Sequence, residues 1–260
     1  MTDLTTIQFI LLAIASMGIG FSKAGFPGVS MLHVVVFALC FGAKESTGIL
    51  LPMLVIGDVC AIASFGRRAV WSQIFRLLPP TLIGILFGWA MMDRLDPTAF
   101  RWIVGTIILT LAAAQAYRMF GRPVADQSDR RVDASSPRSF PIGAILLAGG
   151  LGFLAGMTTM LANAAGPVIA MYLLVVRMPK FELIGTAAWL FLVLNLIKLP
   201  LSFQLGLIDT ATLRTGAMLS PMIPVGLLAG RWLVHRISQR VFNAVLLAFT
   251  AVMAVRLMVG

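Results

Sequence analysis

Two lysines and one acid stand inside otherwise apolar stretches of this sequence: Lys23, Lys198 and Asp58. An ion in hydrocarbon surroundings is expensive, so such residues point to function by default. Around them lie Ser22, Thr158, Thr159 and Asn163, which offer the donors an oxyanion takes. Asn195 lies one turn before Lys198 on the same helix face. Two breaks carry most of the set. The first, Phe21-Ser22-Lys23-Ala24-Gly25-Phe26-Pro27-Gly28, and the second, Met157 through Asn163 to Gly166-Pro167, join longer apolar runs to short ones. Proline is favoured at the first position of a helix, so Pro27 and Pro167 are expected to mark helix starts. Helix N-termini bear partial positive charge and free N–H groups. Two such ends brought together would cradle an anion near the membrane midplane, with Lys23 adding a full charge. Asp58 is either a group that takes up and releases a proton or the fixed partner of Lys23 or Lys198. Ordinary readings stand beside these: lysines snorkel, Ser and Thr bond their own helix, and Gly166-Pro167 is also what a kink looks like.

The elements that position these residues follow from composition. The 260 residues are 59% hydrophobic and 12% charged, about half the charged share of a soluble domain. The apolar residues form long runs, as membrane spans do. The net charge of +10 does not indicate nucleic acid, because the basic residues sit between apolar runs rather than in a stripe with aromatics. Cys40 and Cys60 lie in apolar segments and imply no disulfide framework. His33 and His235 lack metal-ligand company. No metal, cofactor, nucleotide motif or catalytic constellation is expected. The first apolar run lacks a basic leader and a cleavage site, and reads as a retained segment.

Ten apolar segments are expected, at 5–21, 28–42, 47–65, 74–92, 101–119, 141–157, 167–177, 183–203, 213–234 and 240–258. The second and seventh, roughly 22 and 16 Å as helices, are short for a core of about 30 Å. They are expected to form broken, re-entrant hairpins with their predecessors, alongside about eight full spans. The one long polar stretch, Arg118 to Ser139, divides the chain into repeats at 1–119 and 140–260 around a linker at 120–139. Gly18-Ile19-Gly20-Phe21 recurs as Gly150-Leu151-Gly152-Phe153. Asp58 falls where Asn195 falls relative to Glu45 and Glu182. Gly84-x-x-x-Gly88 matches Gly226-x-x-x-Gly230, and Phe100 matches Phe242. With connections on alternating sides, 13 Lys and Arg gather on the linker side against 5 on the other. The positive-inside rule then makes the linker cytoplasmic and puts both termini outside. Five segments per half is odd, so the halves should be inverted. The expected fold is therefore an all-α integral membrane protein with an inverted repeat.

These residues also carry a family resemblance. Gly20 to Gly28 resembles the Gly-Leu-Ser-Lys-Gly-Gly-Phe signature of the TauE/SafE sulfite exporter family, also called TSUP. Asn163-Ala164-Ala165-Gly166-Pro167, Tyr172-Leu173-Leu174, Gly185-Thr186 and Asn195-Leu196-Ile197-Lys198-Leu199-Pro200 are similar to its C-terminal pattern. The resemblance covers nearly the whole chain. It implies transport, usually export, of sulfite, thiosulfate or an organosulfonate such as sulfoacetate, in a cytoplasmic (inner) membrane. Many relatives carry His at the position of Asn163, which keeps hydrogen bonding but does not titrate near neutral pH.

The resulting expectation is a secondary transporter, not an enzyme, with a small anionic substrate and lipid as its partners, a homo-oligomer left open, and no nucleic acid. The substrate-contacting set is Ser22, Lys23, Gly25, Pro27, Gly28, Thr158, Thr159, Asn163, Gly166, Pro167, Asn195 and Lys198, with Asp58 as coupling or counter-charge. An anion channel, or an importer of thiosulfate or sulfonate, is the alternative.

Overall fold

The computed structural model describes residues 5–26, 29–92, 94–120, 142–176 and 178–233, with scattered positions near the C-terminal end. The 120–139 linker beyond Phe120 and most of the 240–258 segment, with Phe242 and His235, lie outside the described residues. So do Pro27 and Gly28.

The described residues form ten α-helices and no strand: α1 (Thr6–Lys23), α2 (Ser30–Phe41), α3 (Glu45–Phe65), α4 (Trp71–Met92), α5 (Pro97–Phe120), α6 (Ile142–Ala162), α7 (Ala165–Val175), α8 (Lys180–Gln204), α9 (Thr210–Leu219) and α10 (Met222–Leu233). A 3-10 turn at Gly66–Arg68 extends α3. Local chemistry sets several ends. Thr5 Oγ1 accepts from the Gln8 N–H at 3.3 Å and the Gln8 side chain accepts from the Thr5 N–H at 3.0 Å, a capping box that starts α1. Asp209 and Thr212 do the same for α9, and the Thr212 N–H holds the Asp209 carboxyl below the usual carboxylate range.

The ninth apolar segment, expected as one run over 213–234, is instead two helices, α9 and α10, with a turn at Ser220 and Pro221. Pro221 has no N–H to offer the Ala217 carbonyl, and the helix restarts one residue later. The expected helix start at Pro167 also shifts. Ala165 opens α7, and Pro167 is its third residue, still within the first turn where a missing N–H costs nothing.

Among the described residues, four helices are long and apolar enough to cross a membrane: α1, α3 with its turn, α4 and α8, with mean hydropathies from 1.5 to 2.1. Their outward faces are aliphatic and aromatic, as at Ile10, Phe75, Ile83, Leu86 and Leu196. The polar side chains Thr81, Thr186, Asn195, Lys198 and Asp58 are buried inside.

Three helix pairs dominate the packing: α4 on α6, α1 on α10, and α3 on α8. Glycines let the backbones approach. A Cβ on Gly20 would strike the Ile223 carbonyl, and one on Gly226 the Met17 carbonyl. In the other pair, a Cβ on Gly156 would strike the Thr81 carbonyl, and one on Gly84 the Phe153 carbonyl. Gly88 faces the Met160 Cβ at 2.9 Å and Gly230 faces the Ala24 Cβ at 2.7 Å from the same idealised position. These contacts match in pairs, but in a register the Gly-x-Gly-Phe likeness misplaces. That likeness aligns Gly20 with Gly152, whereas the packing aligns it with Gly156, one turn later. The close crossing, not the motif, decides which glycine is indispensable.

Gly84→Ala and Gly156→Ala should each lower the melting temperature of the detergent-purified protein, by an overpacking cost of about 1–3 kcal/mol or more. Gly149→Ala should leave it unchanged, since an added Cβ there meets nothing within 4 Å. Equal melting temperatures for all three would contradict the crossing.

Candidate functional site

The two breaks lie at the ends of α1 and α6. After Lys23 the chain turns through Ala24, whose N–H donates to Phe21 and Ser22 carbonyls, and through Gly25 at φ 111°. That backbone suits glycine alone, and an added Cβ would sit 3.0 Å from Ile184 Cδ1. Gly25 thus shapes the turn and is not on the cavity wall described below. At the second break Asn163 adopts φ 51°, and its N–H donates to the Thr159 carbonyl at 3.0 Å. This is the left-handed termination that asparagine tolerates best after glycine. Tyr172 Oη donates to Gln73 Oε1 at 2.8 Å, fastening α7 to α4.

Between the breaks run two buried polar clasps. In the first, Lys23 Nζ lies 2.5 Å from Asp58 Oδ1, and Asn195 Nδ2 donates to Asp58 Oδ2 at 2.7 Å. Both carboxylate oxygens are therefore used, and α1, α3 and α8 are tied together. Lys23 Nζ also sits over the Phe191 ring, 4.4 Å from its centroid. In the second, Lys198 Nζ donates to the Thr159 carbonyl at 2.8 Å, Thr159 Oγ1 at 3.2 Å and Asn163 Oδ1 at 2.5 Å. Three acceptors match the three protons of an ammonium. Asn163 Nδ2 in turn donates to the Thr47 carbonyl at 3.1 Å, bringing α3 into this clasp.

A cavity of about 60 Å³ opens between the clasps. Its wall includes Ser22, Lys23, Thr159, Asn163, Gly166 and Asn195 from the expected set. The first residues of α7, Ala165 and Gly166, face it, so free N–H groups of a helix N-terminus are available there. Thr158, Pro167, Lys198 and Asp58 are not on the wall. The last two stand behind it, bonded to the wall residues Thr159, Asn163 and Lys23. The expected donor set also changes in detail. Ser22 Oγ donates to the Ile19 carbonyl at 2.7 Å, and Thr158 Oγ1 to the Leu154 carbonyl at 2.9 Å. Both hydroxyl protons are spent on their own helices, the usual outcome for Ser and Thr in a helix interior. Thr159 differs: its Oγ1 accepts from Lys198, which leaves its proton for a ligand.

Ser30, His33, Leu54 and Phe191 also line the cavity and were not expected. Phe191 could have been found, since it lies one turn before Asn195 on the same face of α8. His33 is an ionisable residue within an apolar run, which is itself a functional sign. Among the described residues no group of acids, histidines and cysteines is placed to hold a metal.

Asp58→Asn leaves the Lys23 ammonium without its counter-charge and should cost about 3–5 kcal/mol. The double variant Lys23→Met, Asp58→Asn removes both charges and should be more stable than Asp58→Asn alone. Additive losses in a thermal-denaturation cycle would show that the two residues do not interact.

The profile of the family described as "Sulfite exporter TauE/SafE" matches residues 12–257. Comparisons with curated proteins and with solved structures found no match. With its membrane-length apolar helices, the chain is a multi-pass membrane protein of a transporter family. It belongs to the TauE/SafE sulfite exporter family, whose activity is the movement of sulfur-containing anions such as sulfite across membranes.

Proposed function

We propose that this protein is a secondary carrier that exports a small sulfur oxyanion, sulfite or an organosulfonate of sulfoacetate type, across the inner membrane by alternating access around the cavity between the two helix breaks. The observation that carries this reading is a charge imbalance. Lys23 and Lys198 are both buried or nearly so, against the single carboxylate of Asp58. With all three ionised the centre holds one net positive charge in surroundings that penalise it heavily. An anionic sulfur–oxygen group in the cavity offsets that charge. It meets Lys23, the Thr159 hydroxyl and the α7 N-terminus, donors suited to sulfur–oxygen groups. Lys198, held by three acceptors, supplies the field from behind.

The carrier mechanism rests on a two-fold relation between the halves, inverted across the membrane. Its support is the matched packing: α1 on α10 and α6 on α4, with glycines at paired crossings. Residues on a two-fold axis meet their own equivalents. Asp58 and Asn195, which occupy matching places in α3 and α8, hydrogen-bond to each other. Rocking one half against the other about that axis would expose the same cavity to either side in turn.

Sulfite, thiosulfate and sulfoacetate should each be tested by thermal shift on the detergent-purified protein. A true substrate at about 100 times its Kd should stabilise it by about 2.7 kcal/mol. Lys198→Met, which brings the net charge of the centre to zero, should weaken binding by at least about tenfold, or about 1.4 kcal/mol. In liposomes, flux should saturate and show counterflow. A single-channel current that rises linearly with anion concentration would overturn the carrier reading.

A further inference from the structure

Of the groups on the cavity wall, His33 has no role in either clasp. It sits in α2, is 1% exposed, and neither Nδ1 nor Nε2 has a hydrogen-bond partner among the described residues. A buried imidazole normally has its donor and its acceptor both satisfied, and leaving them unmet is costly. An apolar side chain would fill the same place without that penalty. The unmet ring faces a cavity already built to take an anion.

The charged and titratable groups around it are few. From α1 comes Lys23, and from α3 Asp58, with Glu45 at the far end of α2 beside Gly42. Lys198 stands across the cavity on α8, and Cys40 lies two turns along α2 itself. Asp58 is not on the wall, and both of its oxygens already take donors. His33 is the titratable cavity-wall group whose ring nitrogens are still open to a ligand.

We propose that His33 is the proton-binding residue of this site: the imidazole takes a proton from water on the loading side as the anion enters, hydrogen-bonds the anion, and gives the proton up with it on the other side, so that anion and proton travel together. The reason is electrostatic. A proton on His33 places a second positive charge beside Lys23, and the two repel strongly in a medium of low dielectric. An anion lying against both removes that penalty. By linkage, the anion must then favour the proton as much as the proton favours the anion. This rests on the cavity being the anion site, and the test separates the two claims.

The probe is methanesulfonate, which stays ionised throughout the range between about pH 5 and 9 where an imidazole titrates. Added to weakly buffered wild-type protein with a pH-sensitive dye, it should draw up to about one proton per bound anion. The wild-type Kd should rise by up to about tenfold per pH unit on the alkaline side. In His33→Gln, which keeps a donor but cannot titrate, binding should be weaker, independent of pH and free of proton uptake. Should His33→Gln not fold, the ring 15N shifts of His33 in the wild type decide the matter. They should move to the doubly protonated values on adding methanesulfonate and stay there only while it is bound. Binding without proton uptake, or uptake that persists in His33→Gln, overturns the proposal and leaves the anion site standing. Absence of any anion binding to the wild type overturns both.

Discussion

A lysine ammonium enclosed by apolar helices survives only if every one of its protons finds an acceptor, and Lys198 imposes that requirement on the structure around it. Its three acceptors come from the two residues that form the second break, Thr159 and Asn163. The Thr159 carbonyl serves both at once: it accepts the Asn163 N–H at 3.0 Å as α6 ends, and its second lone pair takes the Lys198 ammonium at 2.8 Å. Asn163 must turn its backbone into the left-handed region to end the helix, and that turn also aims its amide at Lys198 on one side and at the Thr47 carbonyl on the other. The irregular backbone and the buried charge therefore solve each other's problem. Neither would be stable in a bilayer alone.

The first break has the same logic with the charges exchanged. There the lysine is on the broken element and its partner, Asp58, is on α3. In the second half the lysine is on the third helix of the half, and its acceptors are at the break. Both arrangements tie a hairpin to the helix that follows it, and the Asp58–Asn195 bond ties the two third helices to each other. The glycine crossings of α1 with α10 and of α4 with α6 bring these parts close enough for bonds of 2.5–3.2 Å to form. A single Cβ at such a crossing would separate whole helices, and the clasps with them.

How much of this was legible in the sequence depends on what a helix hides. The breaks at Ser22–Gly28 and Thr158–Pro167 were readable because Gly, Pro and polar residues interrupt apolar runs at matching places. The lysines and Asp58 were readable because hydrocarbon makes any charge conspicuous. The pairing among them was not, since nothing in a one-dimensional string reports how α1 and α3 are rotated about their axes. The slip between Gly152 and Gly156 has a related cause. One turn along a helix returns to nearly the same face, so an alignment one turn out preserves the apolar pattern almost as well. The hydroxyls of Ser22 and Thr158 were legible as polar groups, but not as groups already satisfied within their own helices. His33 has no metal-ligand neighbours in the sequence, and its place on the cavity wall follows only from how α2 is rotated against α1 and α3.

On the proposed two-fold, the equivalents at the centre are not identical. Lys23 corresponds to Thr159, and Asp58 to Asn195. The scaffold is thus nearly symmetric while the charge it holds is not. On the proposed carrier reading, symmetry of the scaffold would let two oppositely open states have similar energies, because each half would adopt in one state roughly the shape its counterpart adopts in the other. Asymmetry of charge is what gives the centre a net sign, and hence a preference for an anion. A centre obeying the two-fold strictly would hold charges only in duplicate. Two lysines with two carboxylates would cancel, and two lysines alone would bind an anion too tightly to release it. On the proposed reading, one carboxylate against two lysines leaves a single positive charge, enough to draw an anionic sulfur–oxygen group from water and small enough to let it go.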